Sequence, residues 1–186
     1  MSFKILIIMT LLLASVNALA NDGHASGSAV DAAKAMRTSD KYTQGWVPLP
    51  ALSLKNMDNP SADPVSLKPQ KGRVQIVVFL ASWCIPCQQL MPDLKRIAEA
   101  YKNKYTDIVY VFAHDTELDA KAFSSYHKVS SSAYLGTAKV LEDYHQPELP
   151  ALYMSDRYGW LVYRKLNLKT AELSEIEKFL DLHTSF

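Results

Sequence analysis

The only two cysteines of this 186-residue chain stand in Trp83-Cys84-Ile85-Pro86-Cys87, just after an apolar, β-prone run over residues 74–81. That run is apolar on consecutive rather than alternate positions, the pattern of a strand buried on both faces. A strand feeding a Cys-x-x-Cys turn that opens a helix puts both sulfurs on one side of the first helical turn, close enough to bond. It also holds the first sulfur at the helix N-terminus, where unpaired backbone N–H groups and the helix dipole favour a thiolate. Thiolate is the reactive form, so the pattern points to thiol–disulfide chemistry.

A plain structural bridge is the bland alternative. Such bridges gain by closing long loops, and a two-residue loop constrains the unfolded chain very little. Zinc bound through Cys84 and Cys87 would need two further ligands, and no second Cys-x-x-Cys pair exists. No resident metal and no cofactor are expected.

The compartment is read from the N-terminus. Lys4 supplies a positive n-region, residues 5–13 form an apolar h-region interrupted only by Thr10, and Ala18-Leu19-Ala20 reads as a small-residue cleavage site. The expectation is a signal peptide over 1–20, a mature start at Asn21 and a periplasmic location. The apolar run is short for a membrane span, and no cysteine follows it to carry a lipid. Cleavage would leave 166 residues with 19 basic and 19 acidic side chains, a balance that argues against nucleic acid as a partner. An oxidising compartment is also where a cysteine pair is most readily bonded.

Residues 21–45 are small and polar and read as a flexible lead-in. Residues 48–54 and 65–67 are short apolar runs around an Asn/Asp/Pro-rich turn, which predicts a β-hairpin. After the cysteines, Cys87, Leu90, Met91, Leu94, Ile97, Ala98 and Tyr101 recur at helical spacing. Pro92 falls inside that helix and should bend it. A second buried strand is predicted over 108–113, helices over 119–126 and 137–144, strands over 149–154 and 160–164, and an amphipathic helix over 171–182. The order is β-hairpin, βαβ, helices, then ββα, with no internal repeat.

That order and these motifs resemble the thioredoxin fold in its exported TlpA/ResA-like form, from about Trp46 to Leu182. The stretch LPALSLKNMDNPSADPVSLKPQKGRVQIVVFLASWCIPC is similar to the family's opening hairpin, Lys-Gly, buried strand and active site. Pro92 matches the helix-bending proline. LPALYMSDRYGWLVYR resembles the cis-proline strand, Asp-x-x-Gly turn and final strand. The resemblance implies an α/β fold, a central mixed sheet flanked by helices with an N-terminal β-hairpin extension, spanning 46–186. It implies that Cys84 is the nucleophile and Cys87 the resolving thiol, with Ile85 and Pro86 as the active-site loop. Leu149 and Pro150 would pair with an extended substrate beside Trp83. Partners would be disulfide- or dithiol-bearing exported proteins and a membrane thiol reductant as electron donor, with cytochrome c maturation as the family's best-known use. A monomer is expected, since the lead-in is too short for a separate dimerisation domain.

The sequence also departs from the family. The buried acid of thioredoxins, six residues before the first cysteine, is Val78 here, which leaves Cys87 without a named general base. Glu148 and His145 are candidates only through their closeness to Pro150 in sequence. Ala151 replaces a common Thr, and the 130–132 serine run fits no family feature. Ile85-Pro86 adds no charge, so a modest preference for the Cys84 thiolate and a reducing poise are expected. The alternative is a Cu(I) metallochaperone of Sco-like type using the same cysteines. That family, however, spaces them by three and adds a ligand histidine, and His24, His114, His127, His145 and His183 show no ligand spacing.

Overall fold

The computed structural model describes residues 47–59 and 61–184; the expected leader and lead-in lie outside the described residues. Among these, seven strands form one mixed sheet: β1 (Leu52–Lys55), β2 (Val65–Leu67), β3 (Val74–Leu80), β4 (Thr106–Phe112), β5 (Ala133–Gly136), β6 (Ala151–Ser155) and β7 (Leu161–Lys165), in the order β2-β1-β5-β4-β3-β6-β7. β3 lies parallel to β4 and antiparallel to β6, so it is central, and all seven of its residues are buried. That is why its apolar run does not alternate.

Four helices cover the sheet: α1 (Ile85–Tyr101), α2 (Glu117–Tyr126), α3 (Ala138–Asp143) and α4 (Leu173–Thr184). Ile76, Val78 and Leu80 of β3 share a core with Leu90, Met91 and Leu94 of α1, Phe123 of α2 and Ile176 of α4. Val77 and Phe79 point to the other face, where they meet Val140, Leu141 and Tyr144. There Phe79, Tyr144 and Tyr153 pack with ring centroids 4.9–5.7 Å apart. The Tyr144 hydroxyl donates to the Pro50 carbonyl at 2.8 Å, so the polar ends of this cluster are satisfied as well. The expected mixed sheet, hairpin and flanking helices are all present.

Three details differ from the sequence expectation. Residues 48–50 are not in the hairpin: Pro48 bridges Trp160, and the Leu49 N–H donates to the Gly159 carbonyl at 2.9 Å. Pro48 and Pro50 have no N–H to give a ladder, so β1 starts only at Leu52. Second, β5 was not expected. It fills the gap between β1 and β4, pairing antiparallel with one and parallel with the other, which joins the hairpin to the main sheet. The 130–132 serines form a 3-10 turn leading into it. Third, α2 starts at Glu117, earlier than residue 119, because the Thr116 hydroxyl accepts the Asp119 N–H at 3.1 Å and caps it.

Candidate active site

The carboxyl ends of β3 and β4 lie side by side, with Leu80 opposite Phe112. The chain leaving β3 turns at Ala81, whose carbonyl accepts the Cys84 N–H at 3.1 Å, and enters α1. Cys84 is the N-cap in extended conformation, and Pro86 occupies the first turn, where its missing N–H costs nothing. The Cys84 sulfur accepts the Cys87 N–H at 3.3 Å. No acidic residue stands in the first turn of this 17-residue helix, so nothing there opposes a negative charge on the sulfur.

Cys84 and Cys87 are joined as a disulfide, with their Cα atoms 5.2 Å apart. Both are buried, Cys87 at 1% exposure and Cys84 at 5%. The difference favours Cys84 as the sulfur a partner reaches. Around it Trp83, Ile85 and Pro86 are exposed. The Trp83 indole N–H donates to the His114 carbonyl at 3.1 Å, which steers the ring toward the β4 end.

Leu149-Pro150 is a cis peptide, as the resemblance led us to expect. Phe79 is opposite Ala151 in the β3–β6 ladder, so Pro150 lies level with the start of the cysteine turn. Leu149 packs against the core cluster that contains Cys84 and Cys87. The structure thus brings Trp83, Cys84, Ile85, Pro86, Cys87, Leu149 and Pro150 to one end of the sheet. Glu148 instead opens onto a polar cleft with Lys165, Asn167, Lys169 and Glu172.

Two features escaped the sequence reading. Asp115 binds the active-site turn directly: its carboxylate accepts the Ser82 N–H at 2.6 Å and the Ser82 hydroxyl at 2.8 Å. A further signal was available, because chain leaving the carboxyl end of a strand next to the catalytic one is where α/β proteins place functional groups. The second is a groove of about 600 Å³ between Ser82, Trp83 and Gln88 on one side and Asp119, Ala122, Phe123, Tyr126 and His127 on the other. Residues 119, 122, 123 and 126 fall on one face of α2, so the helix presents a wall to the active site. Burial, with Lys95 nearby, lowers the His127 pKa, and its ring packs on Phe123 at 4.4 Å. His127 is therefore a groove residue.

The comparisons decide the family. Residues 47–180 match the family model described as Redoxin.

The chain belongs to the redoxin family.

It is 28% identical over 135 residues to the thioredoxin-like protein YneN of Bacillus subtilis, covering 72% of this chain and 76% of that protein. It is also 28% identical over 113 residues to the thiol-disulfide oxidoreductase ResA of Bacillus cereus, covering 60% of this chain but 65% of ResA. Among solved structures it resembles the thioredoxin domain of a thiol-disulfide oxidoreductase from Bacteroides vulgatus (TM-score 0.61, 26% identity, 73% of this chain and 96% of that one). It also resembles a thioredoxin-family thiol:disulfide interchange protein from Chlorobium tepidum (TM-score 0.60, 19% identity, 72% and 94%). With a bonded cysteine pair at the helix N-terminus, this redoxin is a thiol–disulfide oxidoreductase of thioredoxin-like fold.

Proposed function

We propose that the redoxin is exported by its cleaved N-terminal signal, works in the periplasm, and reduces disulfides of exported proteins. Cys84 thiolate attacks one sulfur of a substrate disulfide; a mixed disulfide forms, and the substrate's other sulfur leaves as thiolate and takes a proton. Cys87 then loses its proton and attacks the Cys84 sulfur, releasing the second substrate thiolate and forming the Cys84–Cys87 disulfide. The substrate gains two electrons and the redoxin loses two. A membrane thiol reductant returns them, and haem-attachment cysteines of c-type cytochromes are one substrate class that fits. The observation that carries this reading is Cys84 at the N-cap of α1, its sulfur held by the Cys87 N–H.

Trp83, Leu149 and Pro150 form the lips against which an extended substrate lies, with Ile85 and Pro86 capping the turn. The reducing direction is supported by the setting of Cys87, which sits among Leu90, Met91 and Leu94. An apolar bed penalises a buried thiolate and not a disulfide, so the oxidised pair is the favoured product.

Partner trapping tests the proposal. Cys87→Ser expressed in the exporting cell should accumulate mixed disulfides on Cys84, seen on non-reducing gels and abolished by adding Cys84→Ser. The absence of adducts, with tight Cu(I) binding by the wild-type pair, would favour the metallochaperone instead.

A further inference from the structure

The active-site turn is held from outside itself. Ser82 uses every polar group it has. Its N–H and hydroxyl go to Asp115, and its carbonyl accepts the Gln88 side-chain N–H at 2.8 Å. Next to it, the Trp83 indole is held by the His114 carbonyl, and the Ala113 N–H donates to the Leu80 carbonyl at 2.8 Å. The receiving segment is itself fixed. His114 adopts φ 53°, turning the chain as it leaves β4, and Asp115 also accepts the Thr116 N–H at 3.0 Å, next to the α2 cap. Residues 113–115 therefore form a socket for residues 80–83, immediately before Cys84.

This socket contains no sulfur, and that separates the two redox states. In the oxidised protein the Cys84–Cys87 bond closes the turn covalently. In the reduced protein that link is gone, and the bonds to Asp115 and His114 are left to hold the turn from outside, beside the local bonds from the Cys84 N–H to the Ala81 carbonyl and from the Gln88 N–H to the Cys84 carbonyl. We propose that Asp115 is a positioning residue that holds the reduced Cys84 turn through Ser82 and thereby tunes how strongly the protein reduces its partners. The inference rests on the Cys84–Cys87 exchange proposed above. The two hydrogen bonds are charge-assisted, the stronger class. Their loss weakens the reduced state more than the oxidised one, whose turn has a second restraint.

The test is equilibration with glutathione, in which protein disulfide plus two glutathione thiols gives protein dithiol plus glutathione disulfide. Asp115→Ala should shift this equilibrium toward the protein disulfide by about tenfold, or ~30 mV for a two-electron couple. It should also lower the melting temperature of the reduced protein more than that of the oxidised one. Asp115→Asn keeps one carbonyl oxygen for the Ser82 N–H and should recover most of the shift. Ser82→Ala, which loses only the hydroxyl bond, should give a smaller shift of the same sign and carries the test if Asp115→Ala does not fold. If the carboxylate acted through its charge instead, removing it would favour the thiolate. The shift would then run toward the dithiol, and Asn would behave like Ala. That result, an absent shift, or equal destabilisation of both redox forms overturns the inference. A wild-type protein that never exchanges with glutathione would instead sink the exchange reading on which it rests.

Discussion

Trp83 offers the sharpest check on how this redoxin engages a polypeptide. It sits directly before Cys84 and is 60% exposed. Of a tryptophan's roughly 250 Å², about 150 Å² is therefore free to be covered. If a substrate segment covers half of that, at ~25 cal/mol per Å² the contact is worth about 2 kcal/mol. Trp83→Ala should then lower kcat/KM for an unfolded, disulfide-bonded protein by roughly twentyfold. The loss for glutathione disulfide, too small to reach across the ring, should be much smaller. Trp83→Phe keeps most of the area and gives up only the exposed hydrogen bond to the His114 carbonyl, so a loss of about threefold is expected. The assay is initial-rate kinetics on both substrates, with the oxidised variants melted beforehand to confirm the fold. An equal loss on the two substrates would mean that Trp83 tunes the cysteines and does not read the partner. No loss on the protein would remove Trp83 from the binding surface.

Stability should fall with pH in two steps. Burial lowers the pKa of His127 and His183 from 6.5, with Lys95 adding to the effect at His127. The unfolded chain binds these protons more tightly, so stability is fully present above pH 6.5 and declines as pH falls through the folded values. A second decline should begin near pH 4.5, because Arg96 depresses the Glu177 pKa and Lys165 and Lys169 depress that of Glu172 despite its burial. Urea midpoints from pH 8 to 3 would show both steps; the double variant His127→Gln, His183→Gln should flatten the first, and a rise in stability on acidification would refute the assignment. Gly159 has φ +88°, and an added Cβ would lie 3.3 Å from the Pro69 Cβ, so Gly159→Ala should cost roughly 1–2 kcal/mol in denaturant unfolding; a neutral result would show that the Asp156–Trp160 turn relaxes freely.

How much of this was legible in the sequence depended on whether the signal was local. β3 and α1 carry their own patterns, continuous for a strand covered on both faces and helical for the stripe facing it. Their junction is the active site, so Cys84, Cys87 and their surroundings could be read directly. β5 could not. Ala133–Gly136 is four residues with no periodicity, and it is a strand only because β1 and β4 flank it. Its closing glycine makes sense only in three dimensions: a Cβ on Gly136 would meet the Phe112 carbonyl oxygen at 3.2 Å. Asp115 and the α2 wall were hidden for a related reason. They lie some thirty to forty residues from Cys84 and reach it only because β3 and β4 are paired in register. The interrupted run at 48–54 shows the reverse case, where two prolines in the sequence already argued against a strand there.

The missing acid and the proposed reducing direction follow from one arrangement. Val78 is fully buried, flanked in the sheet by Tyr110 on β4 and Leu152 on β6. A carboxylate there would need hydrogen-bonding partners inside the apolar core beneath the cysteines, and neither flanking side chain is a cation. With valine in place, none of the described residues flanking position 78 in the sheet is charged and able to relay a proton to Cys87, and the pair shares an apolar core. That bed disfavours the step that makes a Cys87 thiolate, yet it favours the neutral disulfide that the step produces. The kinetic handicap and the thermodynamic drive therefore have the same origin. On the proposed reading, a protein built this way surrenders electrons readily at equilibrium but benefits from a partner held in place long enough for Cys87 to act, a task that suits an exposed Trp83 and the groove along α2.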